Sequence, residues 1–137
     1  MTDPASELHA EILGFIDDVN RGDMPAALAR LTDDVCIVED LAPFRWTGPG
    51  AGARWLTDMA GNGARLGVTA IAMTPGEPRR TELEGEHGYC ILPGRVTLEG
   101  PEVALAEDGL LTFAMRREGG AWRISAFTWT GEAAKPA

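Results

Sequence analysis

Residues 33–55, DDVCIVEDLAPFRWTGPGAGARW, hold a short apolar strand that runs directly into two adjacent carboxylates, Glu39 and Asp40. Val35 and Ile37 lie on one face of that strand and Cys36 and Val38 on the other. Both faces read apolar, so at least one of the two carboxylates starts inside the protein. An acid there needs a partner or a purpose. Alternation sends Glu39 and Asp40 to opposite faces, and a bulge would exchange their places.

Upstream, Asp3 and Pro4 form an N-cap and first helical position, and Leu8, Ile12, Phe15, Ile16 and Val19 recur at helical spacing as far as Asn20. Gly22 ends that helix, and Asp23 caps a second, shorter one through Ala26, Leu28 and Leu31. Downstream, Pro43, Gly48, Pro49, Gly50 and Gly52 mark a long loop. A third helix follows over Ala51–Met59, closed by Asn62 and Gly63. From Gly67 the pattern turns to strands: Val68–Thr74, a polar stretch at Arg79–Leu83, then Tyr89–Leu98, Leu110–Arg117 and Trp122–Thr130. Pro93 and Gly94 predict a bulge or bend within the third of these. Trp122 alternates with Ile124 and Ala126, and Trp129 with Phe127, so the last strand also reads apolar on both faces, one of them a candidate dimer interface.

Three helices followed by antiparallel strands make an α+β fold, with the helices covering one face of a strongly bent sheet that closes into a cone. The 137 residues, 45% hydrophobic, fit a single domain over residues 1–131 with a loose tail at 132–137. Twelve basic residues stand against 21 acidic ones, a net charge of −9, and the arginines form no stripe. Nucleic acid and anionic membrane are therefore poor partners. The start, MTDPASELHAEI, has no basic or apolar leader pattern, and no 18 apolar residues run together, which gives the expectation of a cytoplasmic protein. Cys36 and Cys90 are spaced too widely for a CxxC motif and read as small buried hydrophobes.

The run NRGDMPAALARLTDDVCIVEDLAPFRWTGPGAGARWL and the ending GGAWRISAFTWTG resemble the nuclear transport factor 2-like superfamily, which includes the SnoaL-like polyketide cyclases and ketosteroid isomerase. The resemblance spans about Glu7 to Gly131 and implies a cystatin-like, cone-shaped α+β barrel, often dimeric. Its members include isomerases, dehydratases, epoxide hydrolases, cyclases and ligand binders that do no chemistry, so whether this chain is an enzyme stays open. The VED at Val38, Glu39 and Asp40 is similar to the strand end that carries the isomerase's general base, which implies that role for Asp40. The alternative for Asp40 is a rim carboxylate bonded to loop amides or to Arg45. The isomerase's oxyanion donors have no counterpart, because their positions fall near Phe15 and Leu111.

His87 and Tyr89 share a strand face and are candidates for a proton donor and an oxyanion donor opposite Asp40; the plainer reading of His87 is a surface residue. Phe15, Phe44, Trp46, Trp55, Phe113 and Trp129 are candidates to line a hydrophobic-ligand pocket, with Trp46 at its lip. For Trp55 and Phe113 the plainer reading is core packing. Two distant histidines and the lack of HExxH or clustered Cys argue against a metal site, and no GxSxG elbow or GK[ST] loop ending is present. The expectation is a cofactor-free small-molecule enzyme acting on a hydrophobic substrate. The alternatives are a binding protein of the same shape, or a dimerising module whose cavity is filled by its own side chains.

Overall fold

The structure, a computed structural model, describes residues 3–137; Met1 and Thr2, the first two residues of the stretch read for a leader, lie outside them. The elements run α1 Pro4–Asn20, α2 Met24–Ala29, β1 Leu31–Val38, β2 Arg45–Thr47, α3 Ala51–Arg65, β3 Ala70–Pro75, β4 Arg80–Glu84, β5 His87–Gly100, β6 Val103–Glu118, β7 Ala121–Gly131 and β8 Lys135–Pro136. Asp3 caps α1 by accepting from the Ser6 amide at 3.0 Å, and Asp23 caps α2 by accepting from that of Ala26 at 3.2 Å. No helix among the described residues is long and apolar enough to cross a membrane.

The strands form one open sheet in the order β2-β1-β7-β6-β5-β3, with β4 also on β5 and β8 on β6. β1 runs parallel to β7, and the other pairings are antiparallel. Helix α1 packs on both β7 and β3, strands that lie three places apart in the sheet. One straight helix can reach both only if the sheet curls round it. The α+β class with helices inside a strongly bent, mainly antiparallel sheet therefore holds, although the edges at β2 and β3 do not meet.

Four features depart from the sequence expectation, the first being β6, which begins at Val103 rather than Leu110 because Glu107, Asp108 and Gly109 pair with β5 as strand rather than turning. Helix α3 continues past Asn62 and Gly63 to Arg65, with Gly63 buried beside Ile71 and Val68; Gly67, at φ 76°, follows the helix end instead. The loop after β1 contains a short strand, Arg45–Thr47, paired with Cys36–Val38. The tail is also tied in: Pro136 pairs with Leu105, and the Ala137 amide donates to the Ala104 carbonyl at 2.9 Å.

Two irregularities give the sheet its shape. β5 pairs with β4 over His87–Ile91 and with β3 over Gly94–Glu99, and Pro93 sits at the change of partner, where its missing N–H leaves no ladder bond unmade. In β7 the register slips by one at Ser125, between the pairs Ala114–Ala126 and Met115–Ile124, and the Ser125 hydroxyl donates to the Ala114 carbonyl at 3.1 Å. The slip moves the inward face from even to odd positions. Trp122 and Ile124 point inward before it, and Phe127 after it, all at least nine-tenths buried. That is why the strand reads apolar on both faces.

Candidate functional site

β1 keeps its inward face on odd positions at its end: Val35 and Ile37 are buried, and Glu39, 9% exposed, continues that face. Asp40 takes the other side and is exposed. The Glu39 amide donates to the Phe44 carbonyl at 3.1 Å, which fixes the backbone at this turn, while its carboxylate has the Trp55 indole as its one side-chain donor among the described residues. Burial pushes the Glu39 carboxyl up from 4.5 to about 7; the negative charge of Asp40 and, more weakly, that of Glu107 push the same way, and the Trp55 indole opposes them. That indole N–H is buried and has no partner at full hydrogen-bond geometry, and it faces Glu39 closely enough to favour its anion.

Behind Glu39 stands a wall of rings. Trp55 meets Phe127 edge-on at 5.0 Å and lies over Phe15 at 6.2 Å, while Phe127 touches Phe15 at 5.4 Å and Phe113 at 5.7 Å. Beside it is Trp129, because Val38 pairs with Thr128 and the next residues of both strands face inward together. The Trp129 indole donates to Glu107 at 3.1 Å. Its ring lies against Gly94 and Gly109, where added Cβ atoms would come within 3.5 and 2.8 Å of it. Leu41, Leu56, Met59, Met73 and Trp129 are only half-buried against the core, and Ile71 is 39% exposed. Partly exposed apolar side chains thus edge the concave face between α3 and the β3 end of the sheet, and Glu39 and Glu107 share that face with them. Asn20 holds β3 in place there, bonding both the carbonyl and the amide of Met73 at 2.8 and 3.0 Å.

A separate concavity of about 630 Å³ opens on the outer face at the sheet's bend, lined by Arg79, Pro93, Arg95, Asp108, Leu110 and Glu132 among others. Arg95 and Asp108 satisfy each other there through two bonds of 2.8 and 3.0 Å, which hold the Asp108 carboxyl below the usual carboxylate range. Chemistry of the proton-transfer kind has its best-placed group on the concave side.

Solved structures share this architecture. An NTF2-like protein of unknown function from Pseudomonas putida superposes with a TM-score of 0.75 at 19% identity, over 92% of this chain and 84% of that one. The chain has the NTF2-like fold. A ketosteroid isomerase-like protein from Erwinia carotovora atroseptica matches with a TM-score of 0.74 at 15% identity, over 97% of this chain and 99% of its own. A hexachlorocyclohexane dehydrochlorinase, LinA type 2, matches with a TM-score of 0.74 at 15% identity, over 94% and 88% of the two chains. No family model and no curated protein sequence matches the chain. At these identities the likeness carries the fold and not the reaction.

Within the NTF2-like fold the sequence candidates separate. Phe15, Trp55, Phe113 and Trp129 face the concave side, the first three in the mutually packed ring wall. Trp46 is no pocket lip: it is 3% exposed, paired opposite Ile37, and its indole donates to Asp58 at 2.8 Å, fastening β2 to α3. Phe44 is 58% exposed on the turn beyond Glu39. His87 and Tyr89 are exposed on the outer face of β5, whose inward side carries Gly88, Cys90 and Leu92, so neither stands opposite the carboxylates. Asp40, expected in an apolar pocket, is at the surface because alternation continues unbroken from Val35. Glu107 was missed, although Leu105, Glu107, Leu111 and Phe113 share one parity in LAEDGLLTF and so place it on the apolar face.

Proposed function

We propose that the concave face opens as a cleft for a small hydrophobic molecule and that Glu39, rather than Asp40, exchanges a proton with it. The observation that carries the reading is a carboxyl that is nine-tenths buried beside an aromatic wall, with only the Trp55 indole N–H to favour its anion, so that burial pushes it up to about 7. A group of that kind accepts and returns a proton at ordinary pH, the requirement of cofactor-free isomerisation, cyclisation or elimination. Trp55 is the N–H donor nearest to it. The test is a screen of hydrophobic carbonyl, epoxide and halogenated compounds in deuterated buffer, scored for exchange of carbon-bound hydrogen and for conversion. Activity that falls at least about a hundredfold in Glu39→Gln supports the reading; activity that survives the substitution refutes it.

Binding without turnover is the second reading. The two residues chosen as further proton donors, His87 and Tyr89, lie on the outer face, which favours a cleft that holds its ligand without transforming it. A homodimer belongs to the same proposal. The rows Cys36–Ala126–Ala114–Tyr89 and Val38–Thr128–Thr112–Ile91 make an uncharged strip on the outer sheet face, bordered by Arg45, Arg80 and Glu82, suited to a second copy. Light scattering tests it: a Thr112→Arg variant should be monomeric where the wild type is dimeric.

A further inference from the structure

We propose that the concavity at the sheet's bend is a second binding site, for a small apolar molecule bearing a carboxylate, and that the Arg79 guanidinium holds that carboxylate. The site lies on the outer face of the sheet, so it stands or falls apart from the Glu39 reading. The hollow has a local cause. β5 exchanges β4 for β3 at Pro93, and the β3–β4 connection is pinned to β5 at two points there: the Gly76 amide donates to the Pro93 carbonyl and the Arg79 amide to the Ile91 carbonyl, both at 2.8 Å. Gly76 allows the approach, since a Cβ on it would come within 2.8 Å of the Pro93 ring. What remains beside the connection is a space of about 630 Å³, the size of a small-molecule site. Its floor is apolar where Pro93 and Leu110, both half-buried, pair across β5 and β6.

The charges around this space do not cancel. Asp108 gives both of its oxygens to Nε and Nη2 of Arg95, at 2.8 and 3.0 Å, and Glu132 has Lys135 at 3.8 Å. Arg79 lines the space with no side-chain partner among the described residues, whereas its neighbour Arg80 is taken up by Glu82. An uncompensated cation therefore stands at this concavity in a chain of net charge −9. Thr74 and Thr130, which pair with Arg95 and Leu110 on the same face, bring hydroxyl donors to its edge. A guanidinium fork meets a carboxylate through two parallel bonds, and the apolar floor takes the body behind it. An ammonium group would meet Arg79 as a like charge.

The experiment compares 1-naphthoic acid, 1-naphthalenemethanol and 1-naphthylmethylamine on the full chain, by calorimetry and by amide chemical-shift mapping, at about 0.15 M salt to screen the net charge. The acid should bind at least about tenfold more tightly than the amine, with its largest shifts at Leu110, Thr130 and Gly131. Arg79→Gln changes an exposed side chain with no partner to lose. It should lower affinity for the acid about tenfold and leave the alcohol unchanged, and Arg79→Lys should restore part of the loss. An acid that does not bind at millimolar concentration overturns the assignment, as does an amine that binds as tightly as the acid. Acid affinity that survives Arg79→Gln, or shifts centred on Glu39 and Trp55, overturn it too. Shifts at Leu110 and Thr130 that follow protein concentration without any ligand also contradict it, because a second copy then fills the space.

Discussion

Glu39→Gln should make the protein more stable, and by an amount that depends on pH. The folded state holds the Glu39 proton up to about 7, against 4.5 ordinarily. Between those values the folded chain binds more protons than the unfolded chain, so the wild type loses stability as pH climbs through the interval. Below it the carboxyl is neutral in both states and costs nothing. Once ionisation is complete the cost is about 3 kcal/mol, the free energy of moving a carboxyl over that range. Glutamine has nearly the same shape and no charge at any pH. The stability difference between variant and wild type should therefore grow by about 3 kcal/mol from pH 4 to pH 8, equivalent to about 10 °C in Tm for a domain of this size. Urea melts across that range measure it, and titrations common to both proteins, such as the Asp34 carboxyl that Arg116 holds at about 2, cancel in the difference. A difference that stays constant with pH, or that falls as pH rises, would refute the assignment of Glu39 as a desolvated acid.

Asp40→Asn removes a repelling neighbour but not the burial, so the Glu39 midpoint should drop from about 7 without returning to 4.5; an unchanged midpoint in a carboxyl titration would mean that Asp40 does not act on it. Trp46→Phe deletes the donor to Asp58 and should cost about 1–2 kcal/mol in denaturant melts. Gly109→Ala drives a Cβ into the Thr130 carbonyl and to within 2.8 Å of the Trp129 ring. It should cost at least about 2 kcal/mol and alter tryptophan emission, whereas a neutral effect would mean that Trp129 is not seated on that glycine.

The element order was legible because its signals are local. Asp3-Pro4, Gly22 and Asp23 act through caps and stops a few residues long, and the Gly119–Gly120 turn works the same way, whereas the similar Glu107–Gly109 run is held as strand by its pairing with β5. Which way a strand faces was not. Val35 and Ile37 are no more apolar than Cys36 and Val38, so nothing local decides between Glu39 and Asp40. The answer comes from α3 and β7, which bury the odd positions. The single extra residue at Ser125 had the same effect in β7, turning an inward face into two apparent ones. Trp46 misled for a different reason. Its strand is three residues long and flanked by Pro and Gly, and only its pairing with β1 and its bond to Asp58 make it core. Trp55 and Phe113 were read both as lining and as core, and their burial in the ring wall makes them core.

The central claim is that Glu39 is the inward, proton-exchanging carboxyl of the cleft, and a carbon-13 NMR titration of the glutamate side chains, with Glu39→Gln to assign the signal, tests it most directly. A midpoint near 7 for the Glu39 resonance is the result that the burial and the flanking charges require. A midpoint at about 4–5, where solvated glutamates titrate, would show that the carboxyl is hydrated and would remove the basis of the proposed site.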